Sequence, residues 1–538
     1  MLDPIGLEVM AHAFASVAEE MGAVLVASAF SPNIRERRDA SAALFDGEGA
    51  MVAQAAHIPV HLGAMPEAVA AVRALEPEPG DTFILNDPYT GGTHLPDITL
   101  VHAIAVGGDV GGYTVVRAHH SDVGGARPGS MPPDSRAIFE EGIVIPPIRW
   151  ARSGQVDAAL ERFLLANVRT PDLRRGDLAA QLAACARGAE RYRALVTRWS
   201  RDYVEGAGRD LLDYAERRTV TALARAVPDG RYEARDWLEG DGVTDADVEL
   251  RVAVTAAAGR VRCDFTGTAP AAAGNVNCPL SVTRSAALFV VRCLVDDDVP
   301  TNGGVQRAVT VEAPAGCLVN ARWPSAVAAG NVETSQRIAD LLFLALARAG
   351  GVPAQGQGTM NNVVFGGAGW TYYETLGGGQ GASARAPGPS GVHVGMSNTR
   401  NTPIEAFELD HPMRIRAYAL RHGTGGAGAR VGGDGVVREY AALEPVEASV
   451  IAERRRHAPQ GAEGGAPGAR GRNAVNGEEV GGRAALTLAA GDVLRIETPG
   501  GGGWGVGSNG SCPPTSLSTS RSTTPSGTRS TSGSPRPP

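Results

Sequence analysis

Apolar residues recur at helical spacing through the first segment of the chain, at Ile5, Val9, Ala13, Val17, Met21 and Val24. That period predicts an amphipathic helix over residues 4–29. Asp3 and Pro4 supply its start, a capping carboxylate followed by a proline where no N–H is needed. "SPNIRERRD" breaks the pattern, and "SAALFD" and "MVAQ" on either side of Gly47 predict a short hairpin. A second helix is predicted over residues 65–75. The period then changes. "DTFILND", "DITLVHAIAV" and "YTVVRAHH" predict three strands, the last two joined through "GGDVGG" as a hairpin. Residues 156–226, rich in Arg, Ala and Leu, read as helical. "RYEARDWLEG", "VELRVAVTAAAGRVRCDFTGT" and "RAVTVEAPAGCLVN" predict strands. In "GNVETSQRIADLLFLALARAG", Ile338, Leu341, Leu342 and Ala345 mark a helix that Thr334 or Ser335 would cap and Gly350–Gly351 would end. Glycine loops and short strands follow, up to "ETPGGGGWGVG".

The expected fold class is mixed α and β with several subdomains. Residues 1–155 form an N-terminal mixed sheet with helices, 156–228 a helical segment, 229–318 a β-rich middle, and 319–507 a glycine-rich α/β region. Residues 508–538 are dominated by Ser, Thr and Pro without an acidic residue, a tail that cannot bury a core and is expected to be disordered. The length of 538 residues agrees with several cores rather than one. A net charge of -8 without a basic block excludes a nucleic-acid binder held by phosphate contacts. Six scattered cysteines without a CxxC predict reduced, buried thiols. No basic leader precedes an apolar core, and the apolar runs fall short of the roughly 20 residues that span a bilayer. A cytoplasmic protein with no membrane span is expected.

The predicted hairpin sets a distance. Its strands, 97–106 and 113–118, run antiparallel, so the start of the first lies near the end of the second. Asp97 is thereby brought close to His119, with His94 on the turn just upstream. His119 and His120 should point to opposite faces, so only one readily joins Asp97, and Asp122 is a further candidate. Two imidazoles with one or two carboxylates suit Zn²⁺, Mn²⁺ or Fe²⁺. From the spacing alone, a polar loop whose histidines are satisfied by hydrogen bonds is the first reading and a metal site the second. The charged run Arg35, Glu36, Arg37, Arg38 and Asp39 reads first as a solvated turn, and Glu140 or Glu141 as an acid–base group or a plain carboxylate. No P-loop and no dinucleotide fingerprint occurs.

An ordered series of stretches resembles the hydantoinase B/oxoprolinase family. It runs from "ERRDASAALFD" and "HIPVHLGAMP" through "GDTFILNDPYTGGTHLPDITLV", "AHHSDVGG" and "PGSMPPDSRAIFEEGIVIPP". It continues with "GNVETSQRIAD", "YYETLGGGQGA", "SNTRNTPIEAFE" and "TPGGGGWG", covering residues 1–505. The resemblance implies a metal-binding B-type subunit of a hetero-oligomer that works beside a hydantoinase A-type subunit, which binds ATP. The A part would phosphorylate the amide oxygen of a cyclic amide such as a hydantoin or 5-oxoproline, and the B part would complete hydrolytic ring opening. The metal ligands it implies fall on Asp39, His94, Asp97 and His119. His120, Asp122 and Glu141 stand as acid–base or supporting groups. Two alternatives are a subunit of an ATP-dependent ketone carboxylase and a noncatalytic scaffold. After "GGGGWG" the family pattern continues with an acidic, proline-containing segment; here "VGSNGSCPPTSLSTSRSTTPSG" follows, and an altered reading frame is the expectation.

Overall fold

The computed structural model describes residues 2–56, 58–349 and 351–507. The expectation for residues 508–538 lies outside them. The first helix, α1 (Pro4–Ser28), begins as its sequence predicts, with the Asp3 carboxylate accepting the Gly6 N–H at 2.6 Å. The short α2 (Pro32–Arg35) follows. The remaining helices are α3 (Met65–Arg73), α4 (Ala158–Leu165), α5 (Pro171–Trp199), α6 (Arg201–Ala226), α7 (Leu280–Leu294), α8 (Gly303–Gln306), α9 (Ser335–Leu346) and α10 (Ile404–Asp410).

The N-terminal region is built on a seven-stranded sheet. Its strands are β1 (Ala40–Asp46), β2 (Met51–Ala56), β3 (Asp81–Leu85), β4 (Asp97–Val106), β5 (Asp109–His119), β6 (Ile148–Arg152) and β7 (Gln155–Val156). They run in the order β2-β1-β5-β4-β3-β6-β7, every pair antiparallel. The hairpin turn is tighter than the sequence pattern predicts: only Gly107 and Gly108, both at positive φ, separate β4 from β5. Glycine alone reaches that conformation without a Cβ penalty. The helices α1 and α5 cover one face of the sheet and α3 covers the other. By length and composition α1 is apolar enough to cross a membrane, which its individual apolar runs do not suggest. Here its stripe of Met10, Phe14, Val17, Met21 and Leu25 is buried against this sheet and α5.

A four-stranded sheet follows, with β8 (Gly230–Leu238), β9 (Val248–Ala257), β10 (Arg260–Asp264) and β11 (Val309–Glu312) in the order β11-β10-β9-β8. The stretch expected to be β-rich also contains α7, whose Val282, Ala286, Val290 and Val291 are buried beside α9. Such a short apolar run fits a strand or a buried helix equally well by periodicity.

The α9 region departs from expectation. Thr334 and Ser335 are not caps: their hydroxyls donate back to the carbonyls of Val276 and Asn331, each at 2.6 Å. A π-helical turn, Gly330–Thr334, precedes α9, so the chain is already helical where a cap would stand. The helix runs on into a 3-10 turn at Ala347–Ala349, while Gly350 lies outside the described residues.

Two further sheets share one core. Their strands are β12 (Asn362–Gly367), β13 (Trp370–Thr375), β14 (Met413–Arg421), β15 (Gly435–Ala442), β16 (Val446–Ile451), β17 (Arg472–Val475), β18 (Glu478–Val480), β19 (Arg483–Leu488) and β20 (Val493–Glu497). They form sheets of order β13-β12-β16-β19 and β14-β15-β20-β17-β18. The run Gly500–Gly503 threads between backbone segments, donating to the carbonyls of Ala469, Gly433, Gln355 and Ala466. This glycine run is a packing device, because backbone atoms occupy the space a side chain would need. Buried ion pairs join α9 to β8 and to the loop after β16. Arg337 lies 3.2 Å from Asp236 and 3.1 Å from Glu453, and Arg454 lies 2.6 Å from Asp340.

Candidate metal centre

Asp97 and His119 are direct cross-strand partners, the first residue of β4 against the last of β5. Two backbone bonds fix this corner. The His119 N–H donates to the Asp39 carbonyl at 3.0 Å, and the Asp97 N–H donates to the His94 carbonyl at 3.1 Å. The side chains converge. His94 Nε2 is 3.1 Å and His119 Nδ1 is 3.2 Å from Asp97 Oδ1, and the two ring nitrogens are 3.2 Å apart. Metal–ligand distances of about 2.1 Å place neighbouring ligands of a tetrahedral or octahedral ion about 3.0–3.4 Å apart. The triad matches that spacing, and its residue types suit a borderline divalent cation.

Electrostatics favour the same role. Burial lowers the His119 pKa, which keeps the imidazole in the neutral form that ligates. Burial alone would raise the Asp97 carboxyl. The charge of His94 and the close approach of the His119, His61 and His94 rings outweigh it and hold Asp97 well below the usual carboxylate range. Thr93 Oγ1 donates to Asp97 Oδ2 at 2.6 Å.

His61 is a third imidazole at this cluster, with no sequence spacing to announce it. It ends a 3-10 turn, Pro59–His61, and its Nδ1 lies 3.0 Å from Ser41 Oγ. Its Nε2, buried and without a hydrogen-bond partner, stands 3.4 Å from Asp97 Oδ2. Asp39 lines the same cavity but is not part of the triad. Its carboxylate lies 3.9 Å from the buried Arg37 guanidinium, and the preceding Arg38 holds a left-handed φ of 56°.

The cavity has a free volume of about 20 Å³, room for an ion and little more. Its far wall comes from the other half of the chain, through Asn331, Tyr373, Thr375, Ser397 and Thr399. The Tyr373 ring stacks on His119 at 4.5 Å between centroids, with planes 18° apart. The Tyr373 hydroxyl donates to Asn362 Oδ1 at 2.8 Å, and Asn362 donates to Glu333 at 2.7 Å. Burial pushes the Glu333 carboxyl up to about 8. Arg37 crosses from the N-terminal region to this wall, donating to the Tyr373 carbonyl and to Thr375 Oγ1. These contacts join residues more than 300 positions apart, so no local pattern could reveal them.

The three acid–base candidates lie elsewhere. His120 sits on the opposite face from His119, its Nε2 2.8 Å from Gln181 Oε1. Burial and the nearby Arg174 push its pKa down to about 4. Asp122 organises its own loop, accepting the N–H groups of Gly124, Gly129 and Arg169 and pairing with the Arg169 guanidinium at 3.0 Å. Glu141 accepts the N–H groups of Val327 and Ala328 and the Ser135 hydroxyl. Burial outweighs those bonds and lifts its carboxyl to about 7. Glu140 accepts the N–H groups of Arg136 and Ala137, which is a local cap.

The hydantoinase B/oxoprolinase family matches residues 3–507. An uncharacterized protein of Methanocaldococcus jannaschii is 39% identical over 94% of this chain and 91% of its own length. 5-Oxoprolinase 1 of Arabidopsis thaliana is 37% identical over 94% of this chain, which spans 42% of that longer protein. A 5-oxoprolinase of Dictyostelium discoideum is 35% identical over 94% of this chain and 40% of its own length. Among solved structures, the ATP-dependent caprolactamase of Pseudomonas jessenii superposes with a TM-score of 0.88 at 27% identity, covering 94% of this chain and 92% of that one. An acetone carboxylase shares the fold at a TM-score of 0.82 and 17% identity, covering 94% of this chain and 76% of that one. The chain belongs to the hydantoinase B/oxoprolinase family.

Proposed function

We propose that this chain is the B-type subunit of an ATP-dependent amidohydrolase. It opens a cyclic amide of the hydantoin or 5-oxoproline type after an A-type partner subunit has phosphorylated the amide oxygen. The observation that carries this reading is the buried triad His94–Asp97–His119 at the floor of a cavity, in a chain of this family. The triad would hold a divalent cation such as Zn²⁺, Mn²⁺ or Fe²⁺, with Asp39 and His61 beside it. That cation, when bound, supplies Lewis-acid polarisation and a water of lowered pKa.

The chain's own residues do the rest. Ile58, Val60, Val332 and Met360 line the cavity with apolar surface that excludes bulk water. Tyr373 fixes the plane of His119, and its own hydroxyl is held by Asn362. Glu141 acts by position, holding the backbone that leads into the Asn331 turn. A cytoplasmic setting and a hetero-oligomer with the A-type subunit belong to the same reading, and the five described cysteines are free thiols.

Co-expression with an A-type subunit tests it. The purified complex should contain about one equivalent of divalent metal per copy of this chain and open hydantoin, 5-oxoproline or a lactam only with ATP. A metal-loaded complex that consumes ATP yet opens none of them defeats the reading.

A further inference from the structure

One residue on the far wall is left unexplained by folding. Asn331 lines the cavity and is 3% exposed, and its side-chain oxygen has no hydrogen-bond partner. A buried amide oxygen left in that state opposes folding. Its polar neighbours on this wall are already committed. The Thr375 and Thr399 hydroxyls bond each other at 2.7 Å, and Ser397 Oγ lies 2.8 Å from His393.

The backbone holds Asn331 without using its side chain. Its N–H donates to the Val327 carbonyl at 3.2 Å, and its carbonyl accepts the Ser335 hydroxyl at 2.6 Å. It lies on the π-turn Gly330–Thr334, a conformation that recurs at functional sites. Gly330 makes the turn possible, because a side chain there would collide with the Asn277 carbonyl. A π-turn, a forced glycine and an unsatisfied amide thus coincide opposite the His–Asp cluster.

We propose that Asn331 contacts the substrate, its carboxamide hydrogen-bonding the ring nitrogen of the cyclic amide and selecting rings that are unsubstituted there. This rests on the amidohydrolase reading above. The free space of about 20 Å³ is smaller than a five-membered ring, so the two walls must part to admit a cyclic amide, which then brings two polar groups between them. The triad side answers the carbonyl, and the ring nitrogen needs a partner on the facing wall. A carboxamide suits both states of that nitrogen. Its oxygen accepts an N–H, and its NH₂ donates to the bare nitrogen that remains once the amide oxygen is phosphorylated and the proton lost.

The test uses the assembled two-subunit complex with ATP and two substrates, a cyclic amide and its analogue methylated on the nitrogen of the scissile bond. The wild type should favour the N–H substrate. In Asn331→Ala and in the near-isosteric Asn331→Leu, that preference in kcat/KM should fall at least about tenfold. Metal content should stay at the wild-type level, and Tm should be equal or higher, because an unsatisfied buried group has been removed. A wild type that opens both substrates equally well overturns the inference. So do variants that keep the wild-type preference, or a lowered Tm in both variants, which would make the side chain structural. A wild-type complex that opens no cyclic amide removes the amidohydrolase reading itself, and this inference with it.

Discussion

Asp97 and His119 face each other as a registered cross-strand pair, with Oδ1 and Nδ1 3.2 Å apart. The sheet itself sets that separation for two of the three candidate ligands, and the turn before β4 supplies His94. Replacing Asp97 with Asn should leave the hairpin intact and lower metal affinity and ATP-dependent turnover by on the order of 10²-fold or more. Metal analysis after dialysis, together with turnover of the complex, checks it. Full metal content with normal turnover would refute the assignment.

His61 adds an unpartnered nitrogen 3.4 Å from Asp97 Oδ2. His61→Ala should weaken metal binding about 10–100-fold, as removal of an outer-shell partner does. Competition against a chromophoric chelator measures this directly, and an unchanged dissociation constant would assign His61 a packing role.

Tyr373 has two separable contributions, its ring on His119 and its hydroxyl on Asn362. Tyr373→Phe keeps the ring and leaves the Asn362 oxygen unsatisfied, which should cost about 1–3 kcal/mol of stability with metal retained. Tyr373→Ala should lose metal as well. Chemical denaturation with parallel metal analysis distinguishes the two variants.

His120 provides the contrasting case. Bonded to Gln181 across the sheet from the triad, it should matter for stability alone. His120→Ala should lower Tm and leave metal content and kcat per folded complex near wild type. A selective loss of kcat in a well-folded variant would return His120 to the chemistry.

Glu333 makes stability depend on pH. Its folded carboxyl titrates at about 8, against an ordinary value of 4.5, so folding takes up a proton between those limits. The native state then binds more protons than the unfolded one, and this contribution weakens as pH rises from about 4.5 to about 8. The Tm of Glu333→Gln relative to wild type should therefore increase across that window and level off above it. A difference that stays constant from pH 5 to pH 8 would contradict the shifted carboxyl.

The hairpin is legible in the sequence because period-two alternation and a glycine turn are local signals, and they suffice to put Asp97 opposite His119. The same alternation separates His119 from His120 but does not say which one faces the cavity. Helix packing on the sheet decides that, through Gln181 of α5. Asp39 follows from family resemblance alone, and what it gives the corner most directly is its backbone carbonyl to the His119 N–H. The stretches "GNVETSQR" and "YYETLGGGQGA", which hold Asn331 and Tyr373, read equally as loops that approach a ligand or partner chain and as glycine turns, because the residues they face lie hundreds of positions away. The π-turn mimics a cap in sequence, since Thr and Ser ahead of an apolar helix look alike in both settings.

The cavity has one wall from residues before 120 and another from residues after 330. Neither half holds a complete reaction chamber. During synthesis the chamber can close only after the ribosome has delivered Thr399. A nascent or broken chain can gather its histidines early, yet it has nothing with which to enclose a substrate. Catalytic competence is in this way made conditional on finishing the fold.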